Sequence, residues 1–135
     1  MTYPLSTIEG LHEDQAAALR AHGIRTTEKL LEAAKSPKGR KQLASKTDID
    51  EKTLLRWANI ADKLRIKGMG KEYAELLREV GVDTVKELKY RNPQKLAQSM
   101  SEANRRRKLV RFLPSVKLVT RWIEHARKLT QKITY

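Results

Sequence analysis

The sequence predicts an all-α protein: two tandem copies of one helical unit, eight or nine short helices in all, sharing one compact core. Three observations predict it. Capping side chains open, and glycines close, apolar-periodic segments along the whole length. No run of alternating β-branched residues stands out as a strand. The sequence also matches itself when slid by 58 positions, the signature of a repeated structural unit.

In that register Ile8-Glu9-Gly10-Leu11 falls on Ile66-Lys67-Gly68-Met69. Ala16 falls on Ala74, Leu19 on Leu77, Gly23 on Gly81, Ile24 on Val82, Thr26 on Thr84 and Leu30 on Leu88. Leu43-Ala44 then falls on Leu96-Ala97 after a five-residue shortening. Trp57, Ala61 and Leu64 fall on Trp122, Ala126 and Leu129 after a twelve-residue lengthening. Residues 1–65 therefore form a first repeat and residues 66–135 a second.

The elements follow in order. His12 to His22 reads as a helix closed by Gly23, a suitable left-handed C-terminal position, and Lys71 to Val80 is closed by Gly81 in the same way. Thr84 with Glu87 three residues on is a capping box opening the next helix. Ser36-Pro37 and Asn92-Pro93 each set a capping side chain before a proline at the first helical position. Asp50 caps a longer helix to about Leu64. Ser101 is expected to start another, to about Phe112, and Pro114 breaks it. Ser115 then opens a last helix to about Lys132. Trp57 and Trp122 lie among Leu and Ala at helical spacing, so they are expected as core wedges, one per repeat.

Charge narrows the function. The 29 Lys and Arg outweigh 16 Asp and Glu, a net of +13 with neutral His. Residues 1–65 carry 12 basic and 9 acidic side chains, and residues 66–135 carry 17 and 7. From Lys89 onward only Glu102 and Glu124 oppose 13 basic groups. Such a field favours a polyanion, met by the second repeat. With no cysteine, disulfides, thiolate zinc sites and thiol nucleophiles are excluded. The N-terminus lacks a signal-peptide pattern, and no apolar stretch approaches membrane-spanning length. A cytoplasmic, nucleoid- or nucleoprotein-associated protein without membrane contact is expected.

The informative stretch runs from Leu64 through Arg65, Ile66, Lys67, Gly68, Met69, Gly70, Lys71, Glu72, Tyr73, Ala74 and Glu75 to Leu76 and Leu77. Gly68 and Gly70 suit a tight turn with positive φ and no Cβ in the way of a ligand. Met69 is expected to plug the hairpin into the core, and Ala74 to let the next helix pack closely. The free N–H groups at that helix start suit a phosphate oxygen, with Lys67 and Lys71 on either side.

These residues resemble the helix-hairpin-helix motif of DNA-repair and recombination proteins, which implies binding of duplex backbone without reading sequence. Gly81 to Leu88, followed by Asn92-Pro93-Gln94-Lys95-Leu96-Ala97, is similar to the small helical N-terminal domain of archaeal and eukaryotic recombinases. From about residue 3 to 130 the chain resembles duplicated helix-hairpin-helix proteins known as a domain of unknown function. Members of that superfamily also dock proteins, so the resemblance implies a fold more strongly than an activity.

The first copy departs from the pattern. Gly10-Leu11-His12 lacks the second glycine, and Glu9, Glu13 and Asp14 surround it, so this hairpin is expected to be structural. Each copy also has a second, looser hairpin. In copy one it is acidic, Lys46 to Glu51. In copy two Phe112-Leu113-Pro114-Ser115-Val116-Lys117 follows Arg105, Arg106, Arg107, Lys108 and Arg111. On one continuous helix Arg107 and Arg111 would align, and Arg105 and Lys108 would form another row. No acidic partner is near in sequence. Ser115 is expected to offer free N–H groups beside these cations and Lys117. Lys38, Arg40 and Lys41 make a weaker patch at a helix start, where positive charge opposes the helix dipole.

Nothing in the pattern points to catalysis, a metal or a cofactor. His12, His22 and His125 stand apart, without ligand spacing, and there is no phosphate loop or nucleophile elbow. The expected function is non-enzymatic, largely sequence-independent binding of nucleic acid, duplex DNA before RNA. A ribonucleoprotein subunit and an adaptor docking an acidic protein are the alternatives.

Overall fold

The computed structural model describes residues 2–135. A short 3-10 turn at Leu5–Thr7 precedes eight α-helices: α1 (Glu13–Ala21), α2 (Thr27–Ala34), α3 (Pro37–Thr47), α4 (Glu51–Lys63), α5 (Lys71–Glu79), α6 (Val85–Lys89), α7 (Pro93–Arg107) and α8 (Val116–Lys128). Among the described residues there is no strand, only an isolated bridge between Pro4 and Thr26.

Local chemistry sets most boundaries. Six helices start at a side chain that accepts from a first-turn N–H: Thr26, Ser36, Asp50, Thr84, Asn92 and Ser115 open α2, α3, α4, α6, α7 and α8. Two end alike. Gly23 (φ +81°) follows α1 and Gly81 (φ +88°) follows α5. The N–H groups of Ile24 and Val82 then reach back to the carbonyls of Leu19 and Leu77 at 3.0 and 2.9 Å. Only a residue free of Cβ crowding takes that conformation without strain.

Three sequence expectations are corrected. No helix begins at Ser101: α7 runs unbroken to Arg107, because Leu96, Met100 and Ala103 continue one buried stripe. It stops at Lys108, in the left-handed region at φ +50°, so Arg111 lies on a loop and does not align with Arg107. The last helix ends at Lys128, where Leu129 turns extended. Finally, Pro37 and Pro93 open α3 and α7, so these helices start 56 positions apart. Leu43-Ala44 therefore does not coincide with Leu96-Ala97.

Packing repeats with the order. α4 lies against α2 and α3, and α8 against α6 and α7; α1 meets α3, and α5 meets α7. Trp57 on α4 and Trp122 on α8 are fully buried, as expected of core wedges. The Tyr73 ring packs on Trp122 at 5.1 Å between centroids. One continuous core joins the two quartets, which meet where α4 packs on α6. At this seam Lys63 is completely buried and its Nζ donates to the Val82 carbonyl at 3.1 Å. Burial pulls its pKa down to about 8, against the raising effect of Asp83.

Residues 129–135 cross back over the first quartet. Thr134 N–H donates to the Lys35 carbonyl at 2.8 Å. Buried Arg40 holds the Ala34 and Thr134 carbonyls at 2.9 and 2.8 Å. Arg40 is therefore a structural clasp and not part of a surface patch; Lys38 and Lys41 alone remain exposed there.

Candidate nucleic-acid interface

The hairpin between α4 and α5 is built as its residues suggest, with one difference. Gly68 has φ +82°, and a Cβ there would lie 3.5 Å from Trp122 Nε1 and 3.6 Å from Leu118 Cδ1. Met69 is buried, and Tyr3 OH donates to its carbonyl at 3.0 Å. Gly70 differs: its φ is −118°, so no left-handed turn requires glycine there. A Cβ at Gly70 would meet nothing within 4 Å. Its place is at the N-terminus of α5, where no side chain accepts a first-turn N–H. This helix start is open toward solvent. Lys67 and Lys71 flank it, both exposed. One donor is already engaged, since the Lys67 N–H bonds His125 Nδ1 at 3.0 Å.

The second hairpin of copy two adjoins this one. Tyr73 OH donates to the Phe112 carbonyl at 2.9 Å, and Asn104 holds Val110 through both of its backbone groups. Glu72 and Tyr73 of α5 thus share a groove with Lys108 and Arg111. Arg105, Arg106, Lys108, Arg111 and Lys117 are all exposed, and none has a carboxylate within ion-pair distance among the described residues.

Three members of the expected set are engaged by the protein itself. Arg65 is half-buried, with Nε on Asp62 Oδ1 at 2.7 Å and a guanidinium N–H on the Thr130 carbonyl. Burial still pushes the Asp62 carboxyl up, with Arg65 opposing. Arg107 grips both oxygens of Glu79 at 3.1 Å, so its missing acidic partner is supplied from α5. Ser115 uses its own hydroxyl on the Leu118 N–H at 3.0 Å, and α8 does not present an uncapped terminus.

Two cations escaped the sequence reading. Arg121 and Lys128 on α8 line a groove with Lys67, Gly68, Leu118, Glu124 and His125. Their spacing with Lys117, at intervals of four and seven, puts the three on one helix face, and this was the available signal. The other quartet repeats the arrangement. Arg56 and Lys63 stand at the same places on α4 as Arg121 and Lys128 on α8, and line a groove with Arg78 and Asp83. There Lys63 is buried and donates to the Val82 carbonyl, with the Asp83 carboxylate beside it. On α8 the corresponding Lys128 is exposed.

Around hairpin one, Arg20 pairs with Glu13 and Arg78 reaches Glu9 at 4.0 Å. The His12 N–H is taken by Gln15 Oε1 at 2.9 Å. Among the described residues no three metal-binding side chains converge, and no helix is long and apolar enough to cross a membrane.

No curated protein and no solved structure matches the chain. The model of the family described as domain of unknown function (DUF4332) matches residues 9–129, and the chain belongs to that family.

Proposed function

For this member of the family we propose non-enzymatic, largely sequence-independent binding of nucleic-acid backbone, duplex DNA first, in the manner of the helix-hairpin-helix motif. The observation that carries the reading is the open N-terminus of α5: a glycine-lined start without a side-chain cap, between exposed Lys67 and Lys71. Backbone N–H groups and the helix dipole favour an anion there. Lys108 and Arg111, in the groove shared with Glu72 and Tyr73, and Arg121 and Lys128, in the groove shared with Lys67 and Gly68, add positive charge around it. Nothing in this set reads base edges, so affinity comes from phosphates.

The test is a salt titration of duplex binding by fluorescence anisotropy. With about six phosphates engaged, log affinity falls against log salt with a slope near −5. Lys67→Glu with Lys71→Glu weakens every duplex sequence equally. A sequence preference that survives the double change, or binding indifferent to salt, contradicts the proposal. Competition between duplex DNA and structured RNA decides whether the ribonucleoprotein alternative takes its place.

The adaptor reading has its own support. The groove on α4 that matches the one on α8 holds a carbonyl and a carboxylate from the turn after α5. An acidic turn of another protein would suit α8 by the same chemistry. It requires a complex that survives nuclease treatment and is lost in Arg121→Glu with Lys128→Glu.

A further inference from the structure

The two quartets differ most in the turn between their third and fourth helices. In the first, only Ile49 lies between the left-handed Asp48 and the cap Asp50, and its side chain is buried. In the second, six residues, 109–114, separate Lys108 from the cap Ser115. Inserted segments in repeat proteins collect on one face, often the binding face. This insertion turns apolar groups outward: Phe112 is 73% exposed, Leu113 49% and the adjoining Val116 41%.

The tip is held in place. Pro114 is buried behind it, Tyr73 bonds the Phe112 carbonyl, Asn104 clamps Val110 and Ser115 caps α8. An apolar knob held outward by this framework loses little side-chain entropy when covered. Its surroundings specify what covers it. Lys108 and Arg111 share a groove with it and make no ion pair among the described residues, although Glu72 lines the same groove, and the Arg111 guanidinium lies 5.7 Å from the Phe112 ring centre. A flat apolar ring among uncompensated cations, next to an open helix start, matches a nucleobase attached to its phosphates.

We infer that Phe112, with Leu113 at its side, is a stacking wedge that covers an exposed base at an end, gap or single-strand junction of the bound nucleic acid. The inference rests on the nucleic-acid reading and adds a preference to it. Intact duplex is held by backbone contacts alone, whereas a junction also gains the stack. Phosphates still fix the register.

The experiment compares a blunt duplex with the same duplex bearing a short single-stranded overhang whose first unpaired base is 2-aminopurine. Wild type binds the overhang substrate more tightly and changes the 2-aminopurine emission. Phe112→Ala lowers overhang affinity about tenfold, leaves blunt-duplex affinity and the salt slope unchanged, and abolishes the emission change. Phe112→Trp restores the overhang affinity and the emission change. Equal affinities of wild type and Phe112→Ala for the overhang, or equal losses on both substrates, overturn the wedge while leaving backbone binding intact. Failure of wild type to bind either substrate overturns both readings. Phe112-dependent binding to vesicles containing anionic lipid, without an overhang preference, assigns the tip to a membrane surface and also overturns the wedge.

Discussion

Lys63 is the residue whose charge is hardest to accommodate. It is fully buried with one carbonyl acceptor, and its pKa falls to about 8 while the unfolded chain keeps an ordinary lysine value. Between those values the unfolded state binds more protons, so stability rises with pH across the window from about 8 to 10.4. Urea denaturation of wild type and Lys63→Met therefore gives a difference that moves in favour of wild type by about 2 kcal/mol between pH 8 and pH 10. A constant difference would show that the ammonium is solvated in the folded state. The same comparison marks what is legible in a sequence. Trp57, Met69 and Trp122 declare their burial through helical spacing and apolar neighbours. Arg40 and Arg107 look like free cations because the Thr134 carbonyl and Glu79 lie far along the chain, whereas the Asp62 partner of Arg65 stands three residues away and was legible.

At the scale of an element, α5 carries the conflict between stability and binding. Six other helices satisfy a first-turn N–H with their own capping side chain, and α5 does not. Gly70→Asp supplies both a cap and a negative charge at the positive end of the helix dipole. It raises stability by about 0.5–1 kcal/mol and weakens duplex binding at least tenfold, measured by thermal denaturation and anisotropy on the same samples. Stabilisation without weakened binding would move the anion seat elsewhere. Gly68→Ala acts differently. The added methyl makes ordinary contacts, but φ of +82° strains any L side chain, at about 1–2 kcal/mol. Both glycines appear equivalent in the sequence; only the backbone separates a conformational requirement at Gly68 from an open approach at Gly70. The overrun at Ser101 has a similar origin, since a serine suited to capping gives way to a buried stripe that spans it.

The whole molecule is held as one folding unit by long-range ties. Residues 129–135 bring Thr134 to Lys35 and Arg40, Lys132 to Glu32, and Tyr135 OH to Asn59. Arg40→Ala leaves the Ala34 and Thr134 carbonyls without that donor and costs about 2–3 kcal/mol. The urea transition should remain single, because the core is continuous across both quartets. Two separate transitions would mean that the quartets unfold independently. The helix order and most caps were legible in the sequence, and the first two helices of each quartet keep the 58-residue spacing. How the halves meet was not legible, because a buried lysine facing a turn carbonyl has no local signature.

That seam has an arithmetic consequence. Two equal building blocks ordinarily imply a valency of two, but joining them makes their grooves unlike: on α4 the lysine is buried and bound by the chain's own turn. Its counterpart on α8, Lys128, stands exposed. A ligand that needs a free ammonium at that place would therefore saturate at one equivalent per chain, since the two grooves are chemically inequivalent.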